Sequence, residues 1–373
     1  MTTLFDPITV RGLSVRNRIW VSPMCQYSCL GQDGLVGPWH VGHYGSFAHG
    51  GFGMVICEAT AVNPVGRISP QDAGLWSDAQ VAAWRRVTDV VHAQPIPGAD
   101  GTAVPTRVAV QLAHAGRKAS TYRGFRGEPR GPIPPNEGGW PVVGPSPIPF
   151  DADSPVPHPL DQDGIDELLS DFVAAARRAA DAGFDAIELH MAHGYLMTEF
   201  LSPLSNRRTD SHGGSLAHRM ALPLEVARAV RQAWQGPLLV RISTTEWHPD
   251  GWSVDDSVVL ARELKDAGVD LVDCSSGGNV TVPVPVEPGY QVPMAARIRA
   301  ESGVMTGAVG LISEPSQAHA IVAGGQADVV LLGRAALREP NWPQRAAAEL
   351  GLPNDQAPYP PQTIRGAWPP AHT

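Results

Sequence analysis

Ala182-Gly183-Phe184-Asp185 runs directly into Ala186-Ile187-Glu188-Leu189-His190, and Ala267-Gly268-Val269-Asp270 runs into Leu271-Val272-Asp273-Cys274. A third junction, Gly324-Gly325-Gln326-Ala327-Asp328, leads into Val329-Val330-Leu331-Leu332. The segment before the first junction, Asp166 to Ala180, places Leu168, Phe172, Ala175, Ala176 and Ala179 on one helical face. Glycine stops such a helix, and the short apolar run after it reads as a strand buried on both faces. Working outward, the same reading gives strands at Arg18–Val21, Met54–Cys57, Val108–Leu112, Ala186–Leu189, Leu238–Ile242, Leu271–Cys274, Val304–Gly307 and Val329–Leu332. Helical patterns lie between them near Val81–His92, Asp163–Ala182, Ser215–Trp234, Ser253–Ala267, Met294–Ala300 and Pro315–Ala323. Eight alternations predict an α/β fold, a (β/α)8 TIM barrel. An open doubly wound sheet is the rival, because alternation alone does not prove closure.

Composition narrows the function classes. The chain has 373 residues, 43% of them hydrophobic, enough for a core without covalent staples. No stretch approaches the ~18 apolar residues of a membrane span. Met1-Thr2-Thr3-Leu4-Phe5-Asp6-Pro7 lacks the charged start and apolar run of a secretory signal. Twenty-eight basic against 37 acidic residues give a net charge of −9 with no basic block, which argues against a nucleic-acid partner. Four cysteines in so long a chain do not make a disulfide framework, so a reducing, cytoplasmic setting is expected.

The whole chain, 1–373, reads as one domain with two interruptions. Pro95–Pro105 is a Gly/Pro-rich insert before the third strand, and a longer Pro/Gly-rich insert occupies 119–159, richest from Arg123 to Pro159. The second follows the third strand, on the side where a barrel keeps its active site, and reads either as a cleft wall or as a surface excursion. The tail, 352–373, is Pro-rich and has no helical pattern.

Barrel chemistry collects at the C-terminal strand ends. Strand one is followed by Ser22-Pro23-Met24-Cys25-Gln26-Tyr27 and strand two by Glu58-Ala59-Thr60. Strand three carries Gln111, then His114, Arg117 and Lys118, and strand four leads into His190-Met191-Ala192-His193-Gly194-Tyr195. Strand five carries Arg241, strand six precedes Ser275-Ser276-Gly277-Gly278, strand seven has Gly307 and Gly310, and strand eight Gly333-Arg334. Gly310 and Gly333 with Arg334 fit a phosphate site after strands seven and eight, although each glycine is also explained by a tight turn. His190 and His193 can turn two imidazole N–H groups toward one oxygen, with the Tyr195 hydroxyl as a proton donor on the same rim. Zinc is the rival use of the two histidines, but a third ligand and an HExxH pattern are missing, so no metal is expected. Cys25 and Cys29 have no second pair at metal spacing, and Cys57 and Cys274 read as packing residues. No GxGxxG follows a strand, so a Rossmann crevice is not expected.

These residues resemble the old yellow enzymes, the FMN-dependent ene-reductases, and within them the bacterial thermophilic-like branch. The resemblance is carried by Leu4-Phe5-Asp6-Pro7-Ile8, Asn17-Arg18-Ile19, Ser22-Pro23-Met24-Cys25-Gln26-Tyr27, Glu58-Ala59-Thr60-Ala61-Val62 and Gln111-Leu112-Ala113-His114-Ala115-Gly116-Arg117-Lys118. It continues through His190-Met191-Ala192-His193-Gly194-Tyr195-Leu196, Phe200-Leu201-Ser202-Pro203-Leu204-Ser205-Asn206, Arg208-Thr209-Asp210, Gly213-Gly214-Ser215 and Leu332-Gly333-Arg334. It implies FMN at the strand ends, with Ser22, Pro23, Met24, Ala59, Gln111 and Arg241 against the isoalloxazine ring. Cys25 would also touch the ring and tune its potential. Ser276, Gly310, Gly333 and Arg334 would hold the phosphate. It further implies that NADPH or NADH reduces the flavin first, in the same cleft. His190 and His193 would then grip the carbonyl oxygen of an activated alkene, hydride would reach the β-carbon and Tyr195 would protonate the α-carbon. Tyr27 and Cys25 would line the substrate pocket.

The sequence departs from that branch in two places. Its C-terminal Arg-Gly-Trp, which reaches a neighbouring subunit's site, corresponds here to Arg365-Gly366-Ala367-Trp368, one residue longer. The 119–159 insert also exceeds the usual length. The resemblance implies a homo-oligomer, dimer or tetramer, and small activated alkenes as substrates. Reduction of nitro groups or nitrate esters, demethylation, and a flavin sensor without turnover are the alternatives.

Overall fold

The computed structural model describes residues 2–369. Eight parallel strands form the wall: β1 Ile19–Val21, β2 Met54–Ala61, β3 Arg107–Ala113, β4 Ala186–Met191, β5 Leu238–Ser243, β6 Leu271–Ser275, β7 Met305–Ala308 and β8 Val329–Leu332. Each is hydrogen-bonded to the next, and β8 also pairs with β1, with Val330 opposite Ile19. The ring is closed, which excludes the open sheet. Around it run α1 Pro38–His49, α2 Asp78–His92, α3 Gln162–Asp181, α4 Leu216–Ala233, α5 Val254–Asp266, α6 Val292–Ser302, α7 Pro315–Ala323 and α8 Trp342–Glu349.

Local sequence explains the repeat unit. Asp161 caps α3 by accepting from the Gly164 N–H, and the expected stripe of Leu168, Phe172, Ala175, Ala176 and Ala179 is buried. Gly183 and Gly268 then leave their helices at φ +83° and +91°, where a Cβ would be strained, so the chain reverses into β4 and β6. The junction reading that began from these two glycines holds.

The strand expectations hold with adjustments. β2 extends to Ala61, so Glu58, Ala59 and Thr60 lie inside the strand rather than after it, with an irregularity in the ladder to β3 between Cys57 and Ala59. β7 starts at Met305 instead of Val304. α1 and α8 were not expected, because α1 carries Gly42, Gly45 and three histidines and shows no apolar stripe. Unexpected too is an antiparallel hairpin, Ile8–Val10 with Leu13–Val15, turning on Arg11 and Gly12 at φ +43° and +79°.

That hairpin closes one end of the barrel. Ile8, Val10 and Val15 pack with the inward Trp20, Met54, Ile56, Ala109, Ala186, Leu239, Leu271, Val329 and Leu331 into an apolar plug. At the other end, Ala115, Ala119 and Val142 pack with Trp140, Ile68 and Tyr195. The 119–159 stretch therefore contributes Ala119, Trp140 and Val142 to the mouth, while most of 125–131 faces solvent. Its return is tied down by a short parallel pairing of Val143 with His158 and by the Arg117 guanidinium on the Ile148 and Pro149 carbonyls, 3.2 Å each.

Candidate active site

Alternation along β3–β6 turns Gln111, Glu188, Arg241 and Asp273 inward, one step above the apolar plug. Gln111 Nε2 donates to Glu188 Oε1 at 2.8 Å, and Arg241 Nε lies 3.1 Å from Asp273 Oδ2. All four side chains are buried. The next inward position on β4 is His190, which pairs in register with Arg241.

After β4 the backbone folds back on itself. His193 sits at φ +62°, an uncommon conformation for a residue with a side chain, and Gly194 at +71°. A Cβ on Gly194 would fall 2.2 Å from the Gly278 carbonyl oxygen, so only glycine fits this contact. The turn is held by Ser243 Oγ, which accepts from the His193 N–H at 2.8 Å, and by Lys118 Nζ, which donates to the His193 and Gly278 carbonyls at 2.8 and 2.9 Å. The result brings the His190 ring 5.2 Å from that of His193 and 5.2 Å from that of Tyr195. His193 Nε2 shares a 2.7 Å hydrogen bond with Ser275 Oγ.

Electrostatics fixes the protonation of this rim. Burial, with Arg241 and Lys118 nearby, holds both imidazoles well below the usual histidine range, so they are neutral at pH 7. Burial pushes the Tyr195 phenol up, so it keeps its proton, and pushes the Lys118 ammonium down to about 8. Lys118 lies over the Tyr195 ring, 4.9 Å from its centre. Lys118 stood in the sequence after strand three without a role; nothing in its local pattern shows that it clamps a turn 75 residues away.

The loop after β1 forms the facing side. Glu58 Oε2 accepts from the Gln26 N–H at 2.8 Å and Oε1 from the Tyr44 hydroxyl at 2.9 Å, anchoring Ser22 to Tyr27 against β2 and α1. The Ser22 N–H donates to the Leu332 carbonyl at 3.0 Å, and Gln26 Nε2 to the Met24 carbonyl at 2.8 Å. Tyr27 adopts φ +49°. Burial, reinforced by Asp72 and Glu58, pushes the Cys25 thiol up, so it stays protonated. Proximity to Cys25, and then burial, push the Tyr27 phenol up as well, so it too keeps its proton. Ala59 is the register partner of Gln111.

At the ends of β7 and β8 a cavity of about 240 Å³ runs from Arg334 and Arg338 past Gly310 and Gly333 to Arg241 and Ser275. The only side-chain atom within 4 Å of a Cβ built on Gly333 is Met24 Sδ, at 3.6 Å. Ser276 stands one side chain back: its hydroxyl donates to Gln291 Oε1 at 2.6 Å, and Gln291 lines the cavity. Arg365 is exposed in a tail whose Pro358 carbonyl and Tyr359 hydroxyl meet Gln344 of α8 and the Trp368 N–H. None of these contacts joins Arg365 to His190, His193, Tyr195 or Tyr27 of its own chain. Residues 370–373 of the tail lie outside the described residues.

The donor set fits a flavin mononucleotide. A basic, glycine-edged cavity suits its phosphate and opens onto Arg241, while His190 Nδ1 is buried with no hydrogen-bond partner among the described residues. Among the described residues no three His, Cys, Asp or Glu side chains are placed to hold a metal ion, and no helix is long and apolar enough to cross a membrane.

The family model of the NADH:flavin oxidoreductase / NADH oxidase family matches residues 3–353. An NADPH dehydrogenase of Geobacillus thermodenitrificans is 47% identical over 351 residues, covering 94% of this chain and 95% of its own. One from Bacillus subtilis is 42% identical over 363 residues, covering 97% and 98%. Among solved structures, morphinone reductase in complex with tetrahydroNAD superposes with a TM-score of 0.74 at 27% identity, covering 98% of this chain and 94% of its own. The old yellow enzyme homologue from Zymomonas mobilis gives 0.75 at 26%, covering 98% and 99%. The chain therefore belongs to the NADH:flavin oxidoreductase / NADH oxidase family, the old yellow enzymes, with FMN as its cofactor and a reduced nicotinamide nucleotide as its electron source.

Proposed function

We propose that this oxidoreductase is an NAD(P)H-dependent ene-reductase that reduces activated C=C bonds of α,β-unsaturated carbonyl or nitro compounds. The observation that carries the reading is the pair of buried, neutral imidazoles, His190 and His193, beside the protonated Tyr195 hydroxyl. Gln111, Arg241, Ser22, Pro23, Met24, Cys25 and Ala59 hold the ring in this reading, and Arg334, with Gly310, Gly333 and Ser276, the phosphate end. When bound, FMN supplies the chemistry that side chains lack, taking a hydride from NADPH and giving it up to the alkene.

The protein's own part is electrostatic and geometric. Neutral imidazoles donate N–H to the substrate oxygen and stabilise the negative charge that develops there as the β-carbon accepts hydride. An imidazolium would lose its hydration in this buried place at a high cost, so burial keeps both rings neutral. Tyr195, whose phenol keeps its proton, delivers it to the α-carbon. Tyr27 and Cys25 wall the opposite side and keep water from the reacting atoms. The names of its relatives point to NADPH as the reductant.

Anaerobic steady-state oxidation of NADPH tests this reading. We expect NADPH alone to be consumed only to the extent of the flavin present, sustained turnover once 2-cyclohexenone or a maleimide is added, and the saturated compound as product. Turnover confined to nitroarenes or nitrate esters, with the nitro or nitrate group rather than a C=C bond reduced, or no turnover with any acceptor but oxygen, would contradict it.

A further inference from the structure

Two acids share the barrel floor with one fixed cation. Glu188 and Asp273 are both fully buried and both point inward, and the proposed mechanism uses neither. Asp273 Oδ2 lies 3.1 Å from the Arg241 guanidinium, whereas among the described residues the Glu188 side chain accepts only from the Gln111 amide. Glu188 Oε2 and Asp273 Oδ1 have no partner among the described residues. Two ionised carboxylates against one guanidinium would leave a net negative charge in a dry space, at a cost of several kcal/mol per ion. A buried pair avoids this by keeping one proton.

We propose that Glu188 holds this proton as a neutral carboxylic acid, and that its ionisation sets the charge on which FMN is reduced. The inference rests on the placement of the ring against Gln111 and Arg241, the two residues to which the acids are attached. Asp273 takes the guanidinium, which leaves Glu188 as the member without a counter-ion. Burial and then the Asp273 charge push its titration up to about 8. Below that pH the floor carries Arg241 against Asp273 and is neutral; above it the floor becomes negative, which disfavours the extra electrons of the reduced flavin. The other groups at the floor and above it are Gln111 from β3, His190 from β4, His193 from the turn after β4 and Lys118 from the loop after β3. The inward positions of the remaining strands, Ser22, Ala59, Gly307 and Leu331, do not titrate in this range. Glu188 thus acts through its charge from behind Gln111 and does not touch the reacting atoms.

The test is the midpoint potential of the bound flavin, measured by dye equilibration from about pH 6 to about pH 9.5 in wild type, Glu188→Gln and Asp273→Asn. Wild type and Glu188→Gln should coincide at the acid end, where both side chains are neutral. Above about pH 8 wild type should fall below Glu188→Gln, with a ratio of reduced to oxidised flavin about tenfold lower, or about 30 mV for a two-electron couple. Asp273→Asn frees Arg241 for Glu188, so the break should move to lower pH, a result that does not require Glu188→Gln to fold. Superposed curves for wild type and Glu188→Gln would overturn this inference alone. So would a break near pH 8 that survives in Glu188→Gln, which would belong to Lys118, or an unmoved break in Asp273→Asn. Wild-type protein that holds no FMN would overturn the cofactor assignment and this inference with it.

Discussion

The two ends of this barrel are built from the same strands and differ within two residues along each. On β4, Ala186 belongs to the apolar plug, Glu188 to the polar floor and His190 to the rim; on β5 the same order is Leu239, Arg241 and Ser243. At the plugged end, packing decides what is tolerated, and the hairpin of Ile8–Val10 and Leu13–Val15 completes it. At the open end, apolar side chains give way to groups whose hydrogen-bonding capacity is only partly used, such as Glu188 Oε2 and His190 Nδ1. Apolar packing closes one end and unfinished polar chemistry occupies the other, so mutations at the two ends should separate stability from turnover.

The largest effect is expected at the rim. Tyr195→Phe removes the proton donor and should lower the rate of alkene reduction on the order of 10²–10⁴-fold, while reduction of the flavin by NADPH continues. Stopped-flow measurement of the two half-reactions separates these, and an equal loss in both would erase the proposed role. His190→Ala or His193→Ala should each cost about 10²–10³-fold in the alkene step, the scale for one donor to a developing oxyanion. At the plugged end, Leu239→Ala should lower unfolding free energy by about 2–5 kcal/mol in a denaturant titration with turnover per folded molecule retained. A comparable drop in turnover there would mean the ends are coupled.

The smallest effect sharpens the contrast through pH. Burial holds the folded His114 imidazole down, to about 4, against an unfolded value of ~6.5. The unfolded chain therefore binds the proton first on acidification. The His114 contribution is full above about pH 6.5 and is lost as pH falls toward 4. His114→Gln should flatten the acid limb of the stability curve in that window, read by thermal unfolding at stepped pH.

Much of this was legible in the sequence because the signals are local. Gly183 and Gly268 announce the helix-to-strand reversals, and the spacing of His190, His193 and Tyr195 put three polar groups on one turn. What stayed hidden depends on contacts distant in the chain. α1 shows no stripe, because His40 and Tyr44 face a buried glutamate, Glu58, rather than an apolar sheet. Lys118 reaches the His193 carbonyl, and Asp273 meets Arg241 only because β5 and β6 are neighbours. The Arg11-Gly12 turn was a readable hairpin signal that the strand-and-helix alternation masked.

The account depends most on the imidazole pair working on an electron-poor alkene at a reduced flavin. The direct test is to reduce the protein anaerobically with one equivalent of NADPH and mix it with 2-cyclohexenone, following flavin absorbance in wild type and in the His190→Ala/His193→Ala double variant. The account predicts rapid return of the oxidised spectrum with one equivalent of cyclohexanone in wild type, and a reduced flavin that persists until oxygen is admitted in the variant. Equal rates of return in the two proteins would contradict it.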